Sequence, residues 1–177
     1  MKRTILVFGA IAGVVASLML VLSMAMLKSR STFFFKYGEL FGYTSMLLTF
    51  SIIFIAVKSY RDRYLNGFIS FKDALLLGLG VAFTASTIYV LVWVVFYKTI
   101  FPDFPQFYQQ CMIEKQQAQG KTAAELAESR EQMQVMFSYY DTLGGLIAIT
   151  YMEILPVGLI VALFSGLVLK KRPSFKS

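Results

Sequence analysis

Residues Thr4 to Leu27 read TILVFGAIAGVVASLMLVLSMAML, an uncharged run of 24 set between Lys2-Arg3 and Lys28 with Arg30. At about 1.5 Å per residue, a helix of that length exceeds the roughly 30 Å hydrocarbon core of a bilayer. A basic start and an apolar run also fit a signal peptide, with Ser23-Met24-Ala25 as a small-x-small cleavage site. Signal-peptide cores hold about 7–15 residues, so an uncleaved membrane anchor is the preferred reading.

The pattern recurs downstream. A second apolar run covers about 37–57 and closes at Lys58, Arg61 and Arg63; a third covers about 74–97; a fourth covers about 143–169 and stops at Lys170-Lys171-Arg172 before Pro173. The expected fold is an all-α membrane protein, a single membrane domain of four transmembrane helices packed as a four-helix bundle. With 57% hydrophobic residues in 177, the chain is too apolar to cover a soluble surface. The formal charge of +7 sits at the ends of the apolar runs rather than in a stripe on one surface, so it indicates topology and not nucleic acid.

Counting Lys and Arg on each side orients the chain. With the N-terminus inside, the cytoplasmic segments hold Lys2, Arg3, Lys58, Arg61, Arg63, Lys72, Lys170, Lys171, Arg172 and Lys176, ten in all, against seven in the longer segments of the other side. N-in and C-in follows, with 98–142 extracytoplasmic. Lys28, Arg30 and Lys36 in the first loop pull mildly the other way.

Lipid provides no hydrophobic drive between helices, so close packing needs small side chains. Three ladders present them on single helical faces: Gly9-x-x-x-Gly13-x-x-x-Ser17, Gly78-x-x-x-Ala82-x-x-x-Ser86 and Gly158-x-x-x-Ala162-x-x-x-Gly166, with Gly38-x-x-x-Gly42 a weaker instance. They serve either packing inside the bundle or contacts between copies in a homo-oligomer.

In the connection from Lys58 to Asp73, Asn66-Gly67 predicts a turn with positive φ, and Ser70 with Asp73 predicts a helix cap. Its Lys58, Arg61, Arg63 and Lys72 suit lipid headgroup contacts, in an anchored loop or in a site for an anionic lipid or partner. The connection 98–142 is too long to be idle. Pro102 and Pro105 break the third span, Phe107 to Ala118 reads as helix, Gly120 interrupts, and Thr122-Ala-Ala-Glu125 predicts a capping box. Leu126, Met133, Phe137 and Tyr140 then fall roughly on one face. The segment is expected to be an amphipathic helical hairpin, lying on the membrane or docking a partner protein.

Glu153 stands inside the fourth run, in Tyr151-Met-Glu-Ile-Leu-Pro156-Val-Gly158. An ionised carboxylate there costs about 2.5–3.5 kcal/mol on insertion scales, so Glu153 should be paired, protonated or turned inward. Glu39 and Asp141 are candidates to join it in an ion or proton site, with Lys36 as a possible partner; the alternative is a structural carboxylate near the interface.

The absence of histidine removes the commonest base and metal ligand, and the lone Cys111 excludes an intramolecular disulfide. No catalytic residue, metal or cofactor is expected. Several strings in order resemble the family of domain of unknown function 4199, small membrane proteins of Bacteroidetes-type bacteria. They include Gly42-Tyr43-Thr-Ser45-Met46-Leu47, Ile55-Ala-Val-Lys58-Ser-Tyr60-Arg61-Asp62, Asn66-Gly67-Phe-Ile-Ser70-Phe71, Phe101-Pro102-Asp103-Phe104 and Glu153-Ile-Leu-Pro156-Val157-Gly158. The resemblance implies a four-helix layout in the inner membrane and carries no implication about activity. Two functions are carried forward: a non-catalytic structural, assembly or regulatory partner of another membrane protein, and a small oligomeric transporter or ion-conducting subunit using Glu153. The bilayer is the partner common to both.

Overall fold

The computed structural model describes residues 1–30 and 32–171; for residues 32–36 and Glu39 it describes the backbone only. Arg172 and Pro173, which belong to the stop after the last span, and Lys176, which counts toward the orientation, lie outside the described residues. The elements are α1 (Lys2–Lys28), α2 (Thr32–Tyr64), α3 (Phe71–Thr99), α4 (Phe104–Ala118), α5 (Ala123–Ser138), a 3-10 turn (Tyr139–Asp141) and α6 (Leu143–Leu169).

Four helices are long and apolar enough to cross a membrane: α1, the Leu40–Tyr64 part of α2, α3 and α6. Each turns large apolar side chains outward, as Leu18, Leu48, Phe83 and Ile160 do at 64%, 65%, 59% and 65% exposure. Water would penalise such a surface; lipid does not.

The helix of the second span extends past the apolar run that marks it. Lys58, Arg61 and Arg63 do not close the helix but ride on its last turns, since α2 continues to Tyr64. Long unbranched cations are good helix formers and suit the negative end of the helix dipole, so leaving hydrocarbon does not end the helix. Backbone geometry ends it: Asn66 and Gly67 take φ of 50° and 84°, and the Gly67 N–H donates to the Arg61 carbonyl at 3.0 Å. The chain then enters α3 through Ser70, whose hydroxyl accepts from the Asp73 N–H at 3.1 Å and donates to the Asp73 carboxylate at 2.6 Å.

By contact the chain divides into two compact units, Met1–Val90 with Tyr151–Ser177, and Leu91–Thr150. In the first, α3 carries two small-residue seams. Gly78 and Ala82 meet Ala162 and Gly158 of α6, while Gly80, Thr84 and Ile88 meet Ile5, Gly9 and Gly13 of α1. An added Cβ at Gly9 would lie 2.5 Å from the Thr84 Cβ, and one at Gly158 would lie 2.9 Å from the Ala82 Cβ. Such approach is open only to residues with little or no side chain. Gly166 faces the Phe71 ring, and Phe50 and Ile53 of α2 reach the α3–α6 seam beside Gly158 and Gly78. The Tyr151 hydroxyl donates to Thr87 at 2.7 Å, and Thr87 donates to the Phe83 carbonyl at 2.8 Å, a further tie between α6 and α3. At the end of α6 a two-residue bridge forms: Ile69 and Lys171 exchange backbone hydrogen bonds of 3.0 and 2.9 Å.

The second unit has an aromatic core. Trp93 meets Phe104 edge-on at 5.0 Å between centroids, Tyr97 meets Tyr140 at 5.6 Å, and Phe137 touches Phe104, Tyr108 and Tyr140. Edge-to-face pairs at these separations are the favoured arrangement of ring quadrupoles. Cys111 is fully buried here, and Pro105 occupies the first turn of α4, where its missing N–H goes unneeded.

Candidate functional sites

Small residues on one face of α2 set the first site. Gly38, Gly42, Ser45 and Thr49 recur at helical spacing and turn toward Ala16, Met19, Leu20, Ser23 and Met24 of α1. Between them lies a crevice of about 150 Å3, walled further by Met46, Phe50, Tyr89, Ile154 and Glu153. Gly38-x-x-x-Gly42, which the spacing presents as a weaker packing ladder, borders this crevice, and a Cβ built on Gly42 meets nothing within 4 Å among the described residues.

Two of the crevice hydroxyls are used locally. Ser23 donates to the Met19 carbonyl at 2.8 Å and Ser45 to the Gly42 carbonyl at 2.7 Å. Thr49, 2% exposed, has no hydrogen-bond partner among the described residues. Glu153 is exposed along the crevice wall and has no hydrogen bond or ion pair among the described residues. Three residues on, Pro156 sits within the unbroken α6 and supplies no N–H to the Met152 carbonyl.

Of the residues considered with Glu153, Asp141 lies exposed in the 3-10 turn of the second unit. The side chains of Glu39 and Lys36 lie outside the described residues. The basic residues of the α2–α3 connection divide by use. Lys58, Arg63 and Lys72 are exposed, whereas Arg61 is held within the protein, donating from Nε to Asp62 at 2.7 Å and from Nη1 to the Leu169 carbonyl at 3.3 Å. Arg61 thus satisfies a carbonyl at the end of α6, where the last four have no intrahelical donor. Lys171 stands 5.7 Å from the Phe68 ring centroid.

The second site belongs to the second unit. Thr122 opens α5 with a capping box: its hydroxyl accepts from the Glu125 N–H at 3.3 Å, and the Glu125 carboxylate accepts from the Thr122 N–H at 2.8 Å. The Thr122 N–H first, and then the Thr122 hydroxyl, which donates to the same carboxylate at 2.8 Å, hold the Glu125 carboxyl below its ordinary value of 4.5. The α4 and α5 helices leave between them a groove of about 330 Å3 lined by Gln106, Gln109, Gln110, Gln117 and Gln134 with Ile113, Glu114 and Arg130. Across it the Gln109 amide donates to the Arg130 carbonyl at 3.3 Å. The crevice and the groove were both missed from sequence. The signal for the crevice was the continuation of Gly38 and Gly42 into Ser45 and Thr49; for the groove, it was the crowding of glutamine on α4.

The class is now plain: an all-helical protein with four helices long and apolar enough to cross a membrane. The chain belongs to the family described as protein of unknown function (DUF4199), whose model matches residues 7–171. No curated protein and no solved structure matches it.

Proposed function

We propose that this protein is a non-catalytic, multi-pass subunit of the bacterial inner membrane, with both termini in the cytoplasm, that works by holding a partner membrane protein through its extracytoplasmic segment. In this reading α4 and α5 form an amphipathic helical hairpin and the groove between them receives the partner. The observation that carries it is the glutamine lining of that groove. A primary amide both donates and accepts, so a row of them matches a peptide backbone without demanding one sequence. Detergent-solubilised native membranes test it: the full chain should co-purify with a stoichiometric membrane protein, and Gln109→Leu with Gln110→Leu should release it. A wild-type chain that purifies alone would end this reading.

The crevice supports a second reading, a small oligomeric ion-conducting or transport subunit centred on Glu153. Within an apolar span, a carboxylate that has no partner among the described residues supports an ion or proton path. Flux through proteoliposomes should fall with Glu153→Gln; unchanged flux rejects conduction.

A further inference from the structure

The crevice among α1, α2, α3 and α6 combines a space, a charge and a lining that together select a ligand class. Its volume of about 150 Å3 is that of a cavity which admits a benzene ring. The space is bordered by residues without bulk, since an added Cβ at Gly42 meets nothing within 4 Å among the described residues. Glu153 supplies one carboxylate without a partner among the described residues, and Thr49, 2% exposed, adds a hydroxyl equally without one.

The rest of the wall is soft. Met19, Met24 and Met46 offer adaptable, polarisable thioethers, and the aromatic residues Phe50 and Tyr89 also line the space. A hard divalent cation is poorly served, because calcium takes about six to eight oxygens and magnesium a near-octahedral set. A group that neutralises one carboxylate, donates to a hydroxyl and leaves an apolar body against thioethers and rings is an organic ammonium.

We propose that this crevice binds a small primary ammonium carrying an apolar body the size of one ring, with Glu153 as counter-ion and Thr49 as hydrogen-bond acceptor. The site shares Glu153 with the conduction reading but requires only binding. Lost flux with retained amine binding would concern conduction alone, and lost binding concerns this site. An ethanolamine lipid headgroup shares the ammonium, on a two-carbon stem in place of the ring-sized body.

The test is calorimetric titration of the full-length protein in maltoside micelles at neutral pH, with benzylamine as the cation and ethylbenzene as its neutral counterpart. Saturable one-to-one binding of benzylamine is expected, weakened at least tenfold by Glu153→Gln. Ethylbenzene binding should survive that change, which also shows the variant to be folded. Gly42→Leu, on another helix and without a steric clash at Cβ, should remove both by filling the space. Thr49→Val should weaken benzylamine and spare ethylbenzene. Displacement of benzylamine by added phosphatidylethanolamine would support the site and assign it to the lipid headgroup; failure to displace it would support a free amine. Benzylamine binding that is absent in the wild type, or equal in wild type, Glu153→Gln and Gly42→Leu, overturns the proposal.

Discussion

Gly13 and Gly42 are chemically identical and stand in the same kind of small-residue spacing, yet a methyl group added to each meets opposite conditions. At Gly13 the new Cβ would lie 2.7 Å from the Ile88 Cβ; at Gly42 it would find nothing within 4 Å among the described residues. Gly13→Leu should therefore lower the melting temperature in detergent, by an overpacking cost of about 1–3 kcal/mol. Gly42→Ala should raise it, since Ala in a helix interior is favoured over Gly by about 0.5–1 kcal/mol. Equal effects of the two would refute the packing described for α1 on α3. Ser86 is legible in the sequence only as a small residue; the fold adds that its hydroxyl is fully buried without a hydrogen-bond partner among the described residues, while Ser17 reaches the Gly13 carbonyl at 2.7 Å. An unpaired buried polar group costs about 1 kcal/mol or more, so Ser86→Ala should stabilise the protein in the same melting assay. A destabilised Ser86→Ala would mean the hydroxyl has a partner after all.

Helix ends were the most readable elements, because capping is local. Thr122 with Glu125, Ser70 with Asp73 and Asn66-Gly67 each contain their whole argument within four residues, and each forms the bonds or the positive φ that its residues call for. Thr122→Ala should cost α5 about 1 kcal/mol, seen as faster amide exchange over its first two turns. The pH dependence has a definite sign. With its pKa lowered by the cap, Glu125 lends α5 its full support above the ordinary 4.5, and that support fades as pH falls through the lowered value. Protection of the first turn of α5, measured as exchange relative to the intrinsic rate at each pH, should fall below about pH 4.5 in the wild type and show no such fall in Glu125→Gln, which has no carboxyl to protonate. The end of α2 was less readable, because a change from apolar to basic residues marks the edge of hydrocarbon and not the edge of a helix.

For the whole molecule, orientation in the bilayer is the property on which both functional readings depend. The chain suits cysteine mapping, since its own Cys111 is fully buried and should stay silent. Gln119 and Lys72 are exposed. An impermeant maleimide added to intact cells should label Gln119→Cys at once and Lys72→Cys only after permeabilisation. The reverse order would invert the topology and place the α4–α5 groove in the cytoplasm.

By itself the sequence determined the helical class, the four apolar spans and the capped helix starts, since segment hydropathy and hydrogen bonding within a turn are properties of consecutive residues. Tertiary structure decided which neighbour each small-residue face meets: Gly9 and Gly13 met Thr84 and Ile88, whereas Gly42 met open space. It also decided that Arg61 serves the end of α6, 108 residues away, and that Glu153 borders a crevice built mostly by α1 and α2. Periodicity places a side chain on a face of its own helix. What lies opposite that face depends on how separate helices cross, and a linear pattern does not contain the crossing.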